Sequence, residues 1–497
     1  MPTKAKPSDT RDLLILGGGL VGMTLALAAA KKGISSHVVD RADPASLTAE
    51  GFDGRASAIS TASWNLFTNI GLAGALEPHG CPIEKIAVSD QLKPGRIDFQ
   101  PEEGEGSLGR MFANRQLRVA LFEAAKAEPL IAWHAPADVT LRERGDHGVS
   151  ATLADGTVLA ARLMVAAEGR RSPTREEAGF TIANWQYDHR AIIAGLIHSK
   201  PHENVAWEIF YPEGPFALLP MLDDEQGRHR SALVWTVDEE DGDGVLAMGD
   251  RAFIAEVEKR MGRLFGDLEA NGPRSSYPLG FHHTARIVDH RLALVGDAAH
   301  GIHPIAGQGL NLGLRDAGAL VEVIAEGKRL GLDPGDAQLL KRYESWRGLD
   351  SFMVSLATDG LTRLFGVSGP GASAIRRFGM AANETPFDQV FGVRSIGWWG
   401  MTETISHGIV GDFMQANRPM TTGRPGPGYD IRILDEAGNM VRPGETGHLQ
   451  CRGWRGIQMF EEYLGNAKAM EDSFVDDGWF MDEARGVSGD VPALMQG

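Results

Sequence analysis

The strongest constraint on this chain lies near its start, where a short apolar segment runs straight into a glycine-rich turn, a helix of small residues and a second apolar segment. Residues 12–17, D-L-L-I-L-G, have the length of a buried strand, and residues 20–32, L-V-G-M-T-L-A-L-A-A-A-K-K, are good helix formers. Between them Gly17, Gly19 and Gly22 give the spacing G-x-G-x-x-G. The first glycine permits the tight turn, the second lets the backbone approach a pyrophosphate, and the third allows the helix to pack closely on the strand. The helix N-terminus then faces a phosphate. After Gly33, S-S-H-V-V-D ends in Asp40, close to the offset of about 20 residues at which a carboxylate meets a ribose hydroxyl. A β-α-β dinucleotide-binding unit is therefore expected, with the identity of the dinucleotide left open.

The uncharged run Leu13 to Ala30 approaches the length of a membrane-spanning helix, about 20 residues. Three consecutive glycines, Gly17 to Gly19, interrupt it and Lys31 and Lys32 end it, so no transmembrane segment is expected. A length of 497 residues predicts two or more domains. The formal charge of -17 argues against nucleic acid as a partner, which needs a basic face. Only Cys81 and Cys451 are present, too few for a disulfide framework or a cysteine metal site, and a reducing cytoplasm fits.

A second informative stretch, residues 291–316, reads R-L-A-L-V-G-D-A-A-H-G-I-H-P-I-A-G-Q-G-L-N-L-G-L-R-D. It begins as a buried strand, Gly296 lets it turn, Asp297 offers a carboxylate to a sugar hydroxyl, and Gly307 and Gly309 open a helix toward a phosphate or a flavin ring. Two such sites imply one extended ligand. Here the chain resembles the flavoprotein hydroxylases of the para-hydroxybenzoate hydroxylase fold, and among them the ubiquinone-biosynthesis hydroxylases, over residues 10–380. The family's G-D-A-A-H-x-x-H-P-x-x-G-Q-G-x-N is matched from Gly296 through Pro304 to Asn311. The resemblance implies that Asp297 holds the ribityl chain of FAD and that the backbone from Gly307 to Asn311 lies by the flavin ring. D-G-R-A-S-A-I-S, residues 53–60, and N-R-Q-L-R-V-A-L, residues 114–121, also resemble family motifs and imply cofactor contacts from Arg55 and Arg115.

One motif departs from the family pattern. A-A-E-G-R-R-S-P-T-R, residues 166–175, has Glu168 where the family has aspartate, before Gly169. The Asp-Gly pair is linked in the family to FAD and NAD(P)H, so the extra methylene points to altered reduction. His300 and His303 have the look of an H-x-x-H pair but lack further ligands, and no metal is expected. His282 and His283 read as structural histidines.

Residues 190–237 contain four strand-like runs, R-A-I-I-A-G-L-I-H-S, V-A-W-E-I-F-Y, F-A-L-L-P-M-L and S-A-L-V-W-T-V, with turn residues P-E-G-P between the second and third. An antiparallel sheet inserted into a dinucleotide-binding domain is expected, with Trp207, Phe210, Phe216, Leu218 and Pro220 lining a substrate pocket. The fold class is α/β: an FAD-binding domain (1–75, 100–185 and 275–330), a β-sheet substrate domain (76–99 and 186–274) and C-terminal helices (331–385). The resemblance implies a monooxygenase that takes NAD(P)H and dioxygen and hydroxylates a small lipophilic aromatic, a polyprenyl phenol in ubiquinone biosynthesis. It further implies a cytoplasmic protein, with room for contact with the inner membrane face or a biosynthetic complex. No residue is singled out as a catalytic base. The same residues leave open a flavin dehydrogenase or reductase acting on a lipid.

Residues 386–497 have another character, and 389–480 resemble acyl-CoA synthetases and related adenylate-forming enzymes. W-G-M-T-E-T, Trp399 to Thr404, is matched, as are T-G-R-P-G-P-G-Y-D-I-R-I-L-D-E-A-G, Thr422 to Gly438, and D-G-W-F. The serine- and glycine-rich phosphate loop and the C-terminal lysine domain of such ligases are missing. The fragment reads as an incomplete fusion without ligase activity.

Overall fold

The computed structural model describes residues 10–348 and 351, apart from 52–53, 93–95, 102–105, 212 and 303–306, and beyond them short segments between residues 398 and 488. The chain divides into two compact units, Met1–Ala372 and Ser373–Gly497.

The first unit is built on two eight-stranded sheets. In the first, Thr10–Leu16 runs parallel to Ser36–Val39 on one side and to Val158–Ala166 on the other. Ile131–His134 extends it beyond Ser36–Val39, and Leu292–Leu294 lies beyond Val158–Ala166, both in parallel. Leu13 to Leu16, Leu163 to Ala166 and Leu292 to Leu294 are fully or almost fully buried, as expected for strands covered on both faces. Helix Leu20–Lys31 lies against helices Asn114–Ala127 and Gln308–Arg329. Its run from Gly22 to Ala30 is buried, and the alanines let the neighbouring backbones come close. A hairpin, Val139–Gly145 and Gly148–Leu153, continues the sheet in antiparallel sense from Val158–Ala166.

The second sheet runs in the order His300–Gly301, Leu268–Thr284, Ile182–His198, His229–Asp238, Gly214–Met221, Val205–Tyr211, Lys85–Asp90 and Arg96–Phe99. All its pairings are antiparallel except that of Val205–Tyr211 with Lys85–Asp90. The four runs expected over 190–237 correspond to four of these strands. Helix Asp250–Met261 buries Phe253, Val257 and Met261 against one face of the sheet, in a cluster with Phe216, Leu218, Leu233 and Trp235. The two-residue strand His300–Gly301 follows the turn at Gly296–Ala298 and pairs with His282 and His283, so the second sheet is fastened directly to the loop that leaves the first. A small sheet of Ala56–Ser60, Gly109–Ala113 and Cys81–Ile83 completes this unit.

C-terminal to helix Gln308–Arg329, residues 337–348 are helical, and Tyr343 is buried with its hydroxyl donating to the Leu294 carbonyl at 2.9 Å. The rest of the expected helical region to residue 385 lies outside the described residues, except residue 351. In the second unit Asp430–Leu434 pairs antiparallel with Thr446–Arg452, with Ile433 and Cys451 buried, and Arg432 and Arg452 both lie over the Trp479 ring.

Candidate flavin and substrate site

The glycine turn is shaped by close backbone approach. Gly17 has φ of 103°, and a side chain there would strike the Ala167 carbonyl. A side chain at Gly22 would collide with the Gly17 carbonyl oxygen, so helix and turn touch without room for a methyl group. Gly19 differs: a Cβ there would meet no protein atom within 4 Å. Its lack of a side chain serves no internal packing and leaves space for something outside the chain. Asp40, at the end of Ser36–Val39, accepts from the Gly18 amide at 2.7 Å through Oδ2 and from the Ala42 amide at 2.7 Å through Oδ1. It therefore pins the turn as well as facing it.

The second wall comes from residues 296–311. Gly296 has φ of 59°, and the Asp297 side chain reaches the cavity, where solvent can touch it, while protein encloses it on its other sides. Burial raises its pKa above the ordinary carboxylate range, against the pull of His300 and Arg170. Helix Gln308–Arg329 begins at Gly307, in left-handed backbone with φ of 62°. Asn311 is 1% exposed and acts as a clasp: its Nδ2 donates to the Ala58 carbonyl at 2.8 Å and its Oδ1 accepts from the Ser60 amide at 2.9 Å. It shapes the wall by tying strand Ala56–Ser60 to the helix. Neither this helix nor Leu20–Lys31 has a side-chain cap at its N-terminus. Two helix N-termini with glycine N-caps thus converge on one space, where their amides and dipoles favour negatively charged or electron-rich groups.

Behind this loop lies a buried ionic network. Asp316 accepts from the Gly296 amide at 2.9 Å, from His300 Nε2 at 2.7 Å and from Arg347 Nε at 2.7 Å. Burial alone would lower the His300 pKa, but Asp316 overrides it and holds the imidazole above its usual value; Asp316 is correspondingly held low despite its burial. His282 donates from Nε2 to the Asp297 carbonyl at 2.8 Å, and burial pushes its pKa down to about 4, so it is neutral. Among the described residues no group could hold a metal ion.

The space between the walls is a cavity of about 570 Å³, within the usual range for small-molecule sites. Gly19, Val21, Gly169, Asp297, Gly307 and Gly309 line one side; Ile86, Ala206, Glu208, Ala217, Leu219 and Val234, from the second sheet, line the other. These residues fit FAD: an open cradle at Gly19, two helices that begin at glycine N-caps, and a carboxylate aimed inward at Asp297.

The residues 10–349 match the family model for the FAD binding domain. The chain is 44% identical over 383 residues, 77% of its length and 88% of the relative's, to the ubiquinone hydroxylase UbiL of Rhodospirillum rubrum. The chain belongs to the ubiquinone-biosynthesis family of FAD-dependent hydroxylases. Another member, the 3-demethoxyubiquinol 3-hydroxylase of Escherichia coli, is 31% identical over 75% of this chain and 94% of its own. The fold is shared with PqsL of Pseudomonas aeruginosa, at a TM-score of 0.60 and 19% identity over 78% of this chain and all of that one. It is also shared with the p-nitrophenol 4-monooxygenase PnpA of Pseudomonas putida, at 0.60 and 19% over 75% and 93%. This hydroxylase is an oxidoreductase with FAD as cofactor and NAD(P)H as co-substrate. Residues 378–464 separately match the model for AMP-binding enzymes.

Several expected contacts take a different form in this hydroxylase. Trp207, Phe216 and Leu218 do not line the cavity: they point to the opposite face of the sheet, against helix Asp250–Met261. Strand side chains alternate, so choosing the large residues selected the wrong face by one position. Phe210 shares the face of Ala206 and Glu208 but is buried beyond the cavity lining, opposite Pro215. Arg55 and Arg115 are also absent from that lining. Arg115 donates through Nε to the Thr48 and Ala49 carbonyls at 3.0 and 2.8 Å and borders a neighbouring pocket, while Ser57 and Asn114 take the cavity edge, joined at 2.7 Å. Glu168 accepts from Ser172 Oγ at 2.5 Å, from the Thr174 amide at 3.1 Å and from Arg142 at 3.2 Å, which ties it to the start of helix Pro173–Glu177. Pro304 and His303 lie outside the described residues. Glu208, which also lines the cavity, is not among the expected site residues; its sign in the sequence is one acid inside the apolar run V-A-W-E-I-F-Y.

Proposed function

We propose that the protein hydroxylates the aromatic ring of a polyprenylated phenol in ubiquinone biosynthesis, with NAD(P)H and dioxygen as co-substrates. The observation that supports this reading is one cavity lined on one side by glycine backbone, two helix starts and Asp297 and on the other by a mostly apolar wall. In this reading Gly17, Gly19, Gly22 and the helix start at Leu20 hold the pyrophosphate. Asp297 binds a ribityl hydroxyl, and Gly169, Gly307 and Gly309 bring backbone against the ring. Asp40, Glu168 and Asn311 keep these segments in place, and Arg55 and Arg115 act at the outer part of the cofactor. The chemistry that FAD supplies when bound is two-electron reduction by NAD(P)H and activation of dioxygen. Ala206, Ala217, Leu219 and Val234 hold the substrate ring and keep water from it.

Supporting the substrate class, the relatives from Rhodospirillum rubrum and Escherichia coli carry the names of ubiquinone and ubiquinol hydroxylases. Among the described residues no helix is long and apolar enough to cross a membrane. A polyprenyl tail stays in the bilayer, so the protein meets its substrate peripherally, at the cytoplasmic face of the inner membrane. The test compares a prenylated phenol with the same phenol lacking its tail. A higher kcat/KM for the prenylated compound is expected, and equal efficiency for the two would remove the lipophilic assignment.

A further inference from the structure

Glu208 stands in the middle of strand Val205–Tyr211, with Ala217 opposite it on one neighbouring strand and Val88 on the other. It lines the cavity among Ile86, Ala206, Leu219 and Val234, and the opposite wall of the same cavity carries Gly169, Asp297 and Gly307. Among the described residues its carboxylate has no hydrogen-bond or ion-pair partner. An unpaired carboxylate in an apolar setting opposes folding, because desolvation disfavours its charged form. A glutamine or an aliphatic side chain at this position would fit the strand without that penalty. The position therefore makes physical sense if the missing partner is supplied by a ligand.

We propose that Glu208 is the catalytic base that receives the proton of the substrate's ring hydroxyl. This rests on the reading of the substrate as a phenol. The O–H bond breaks, its electron pair stays on the phenolate oxygen and enriches the ring for attack by an electrophilic oxygen, and the proton passes to the carboxylate. Burial pushes the Glu208 pKa up to about 7, which brings it near working pH and closer to that of a phenol. Few other charges act on it. Lys85 and Asp90 occupy the strand on one side, Lys85 in an ion pair with Asp98 at 3.2 Å. Strand Gly214–Met221 on the other side carries none, and Asp297 lies across the cavity.

The experiment uses the FAD-loaded full chain and its Glu208→Gln and Glu208→Asp variants, with flavin content as the check that each is folded. Wild-type kcat should rise with pH through about 7 as Glu208 loses its proton. Glu208→Gln should be slower by about 10²- to 10⁴-fold and lose that limb, and Glu208→Asp should recover it in part. Binding gives a second readout: above pH 7 the wild type should prefer a phenol over its methyl ether by roughly tenfold or more, as for a charge-assisted hydrogen bond. In Glu208→Gln that preference should no longer change with pH. A Glu208→Gln protein that keeps the wild-type rate and pH profile, or loses affinity equally for phenol and ether, overturns the assignment. A wild type that binds FAD but hydroxylates no phenol overturns the functional reading instead.

Discussion

Gly19 and Gly22 stand three residues apart in one motif, and the structure gives their loss opposite consequences. At Gly22 a side chain would be driven into the Gly17 carbonyl oxygen and crowd Ala167 Cβ at 3.2 Å, so Gly22→Val must force the helix from the turn. Overpacking of this kind typically costs about 1–3 kcal/mol of folding stability. At Gly19 the added atoms meet no protein within 4 Å, and the backbone, at φ of -70° and ψ of -171°, suits any residue. Gly19→Val should leave the stability of the FAD-free protein within about 1 kcal/mol, the cost of a poorer N-cap residue. The same side chain occupies the space through which a pyrophosphate reaches the helix amides. Loss of two hydrogen bonds to a charged group, at about 1.5–3 kcal/mol each, gives about 3–6 kcal/mol, or roughly 10²- to 10⁴-fold in affinity. Urea unfolding of both FAD-free variants gives the first quantity, and titration of each with FAD, followed by quenching of flavin fluorescence, gives the second. Full yellow colour in purified Gly19→Val, or a stability loss matching that of Gly22→Val, would refute the assignment of that open space to the cofactor.

Asp297→Ala should weaken FAD binding by at least about tenfold, from the loss of one charged-group hydrogen bond; an unchanged dissociation constant removes its role. Asp316→Asn leaves buried His300 and Arg347 without their counter-charge and should lower folding stability by about 3–5 kcal/mol, read from urea midpoints. The wild-type contribution from Asp316, whose pKa is depressed, holds above the ordinary carboxylate range and is lost as pH falls through the folded value. That from His300, whose pKa is raised, is complete below 6.5 and fades as pH rises through the raised value, so the variant should show a flatter profile at both ends. A chain ending at residue 385 should keep the flavin binding and NAD(P)H oxidation of the full chain; loss of both in a folded product would show that the C-terminal unit takes part.

What was legible in the sequence was whatever depends on local backbone sterics. Gly17 and Gly22 are required by contacts within one β-α turn, and the strand, turn, helix and acid lie in order along some thirty residues. The turn at Gly296–Ala298 and the helix start at Gly307 were legible for the same reason, although the clasp that Asn311 makes on strand Ala56–Ser60 spans more than 250 positions and has no local sign. The facing of the second sheet was not legible. Apart from Glu208, Val205–Tyr211 and Gly214–Met221 are apolar on both faces, so apolar periodicity does not say which one looks inward. Size then misled: bulky Trp207, Phe216 and Leu218 fill the core under the helix, whereas the cavity wall needs small side chains such as Ala206 and Ala217 to leave space. The His300–Asp316–Arg347 network joins three segments through tertiary packing, and the sequence showed His300 as the histidine of G-D-A-A-H and as half of an H-x-x-H pair, with no sign of its ion-pair partner.

Flavin-dependent oxygen transfer to an aromatic ring is tested most directly by the source of the new oxygen atom. The purified protein is reduced anaerobically with NADH or NADPH until the flavin bleaches, then mixed with a prenylated phenol and isotopically heavy dioxygen, and the product is weighed by mass spectrometry. One heavy oxygen atom in the product is the predicted result. Flavin reduced by the phenol itself, with no oxygen from dioxygen in the product, would contradict the account and make the protein a dehydrogenase.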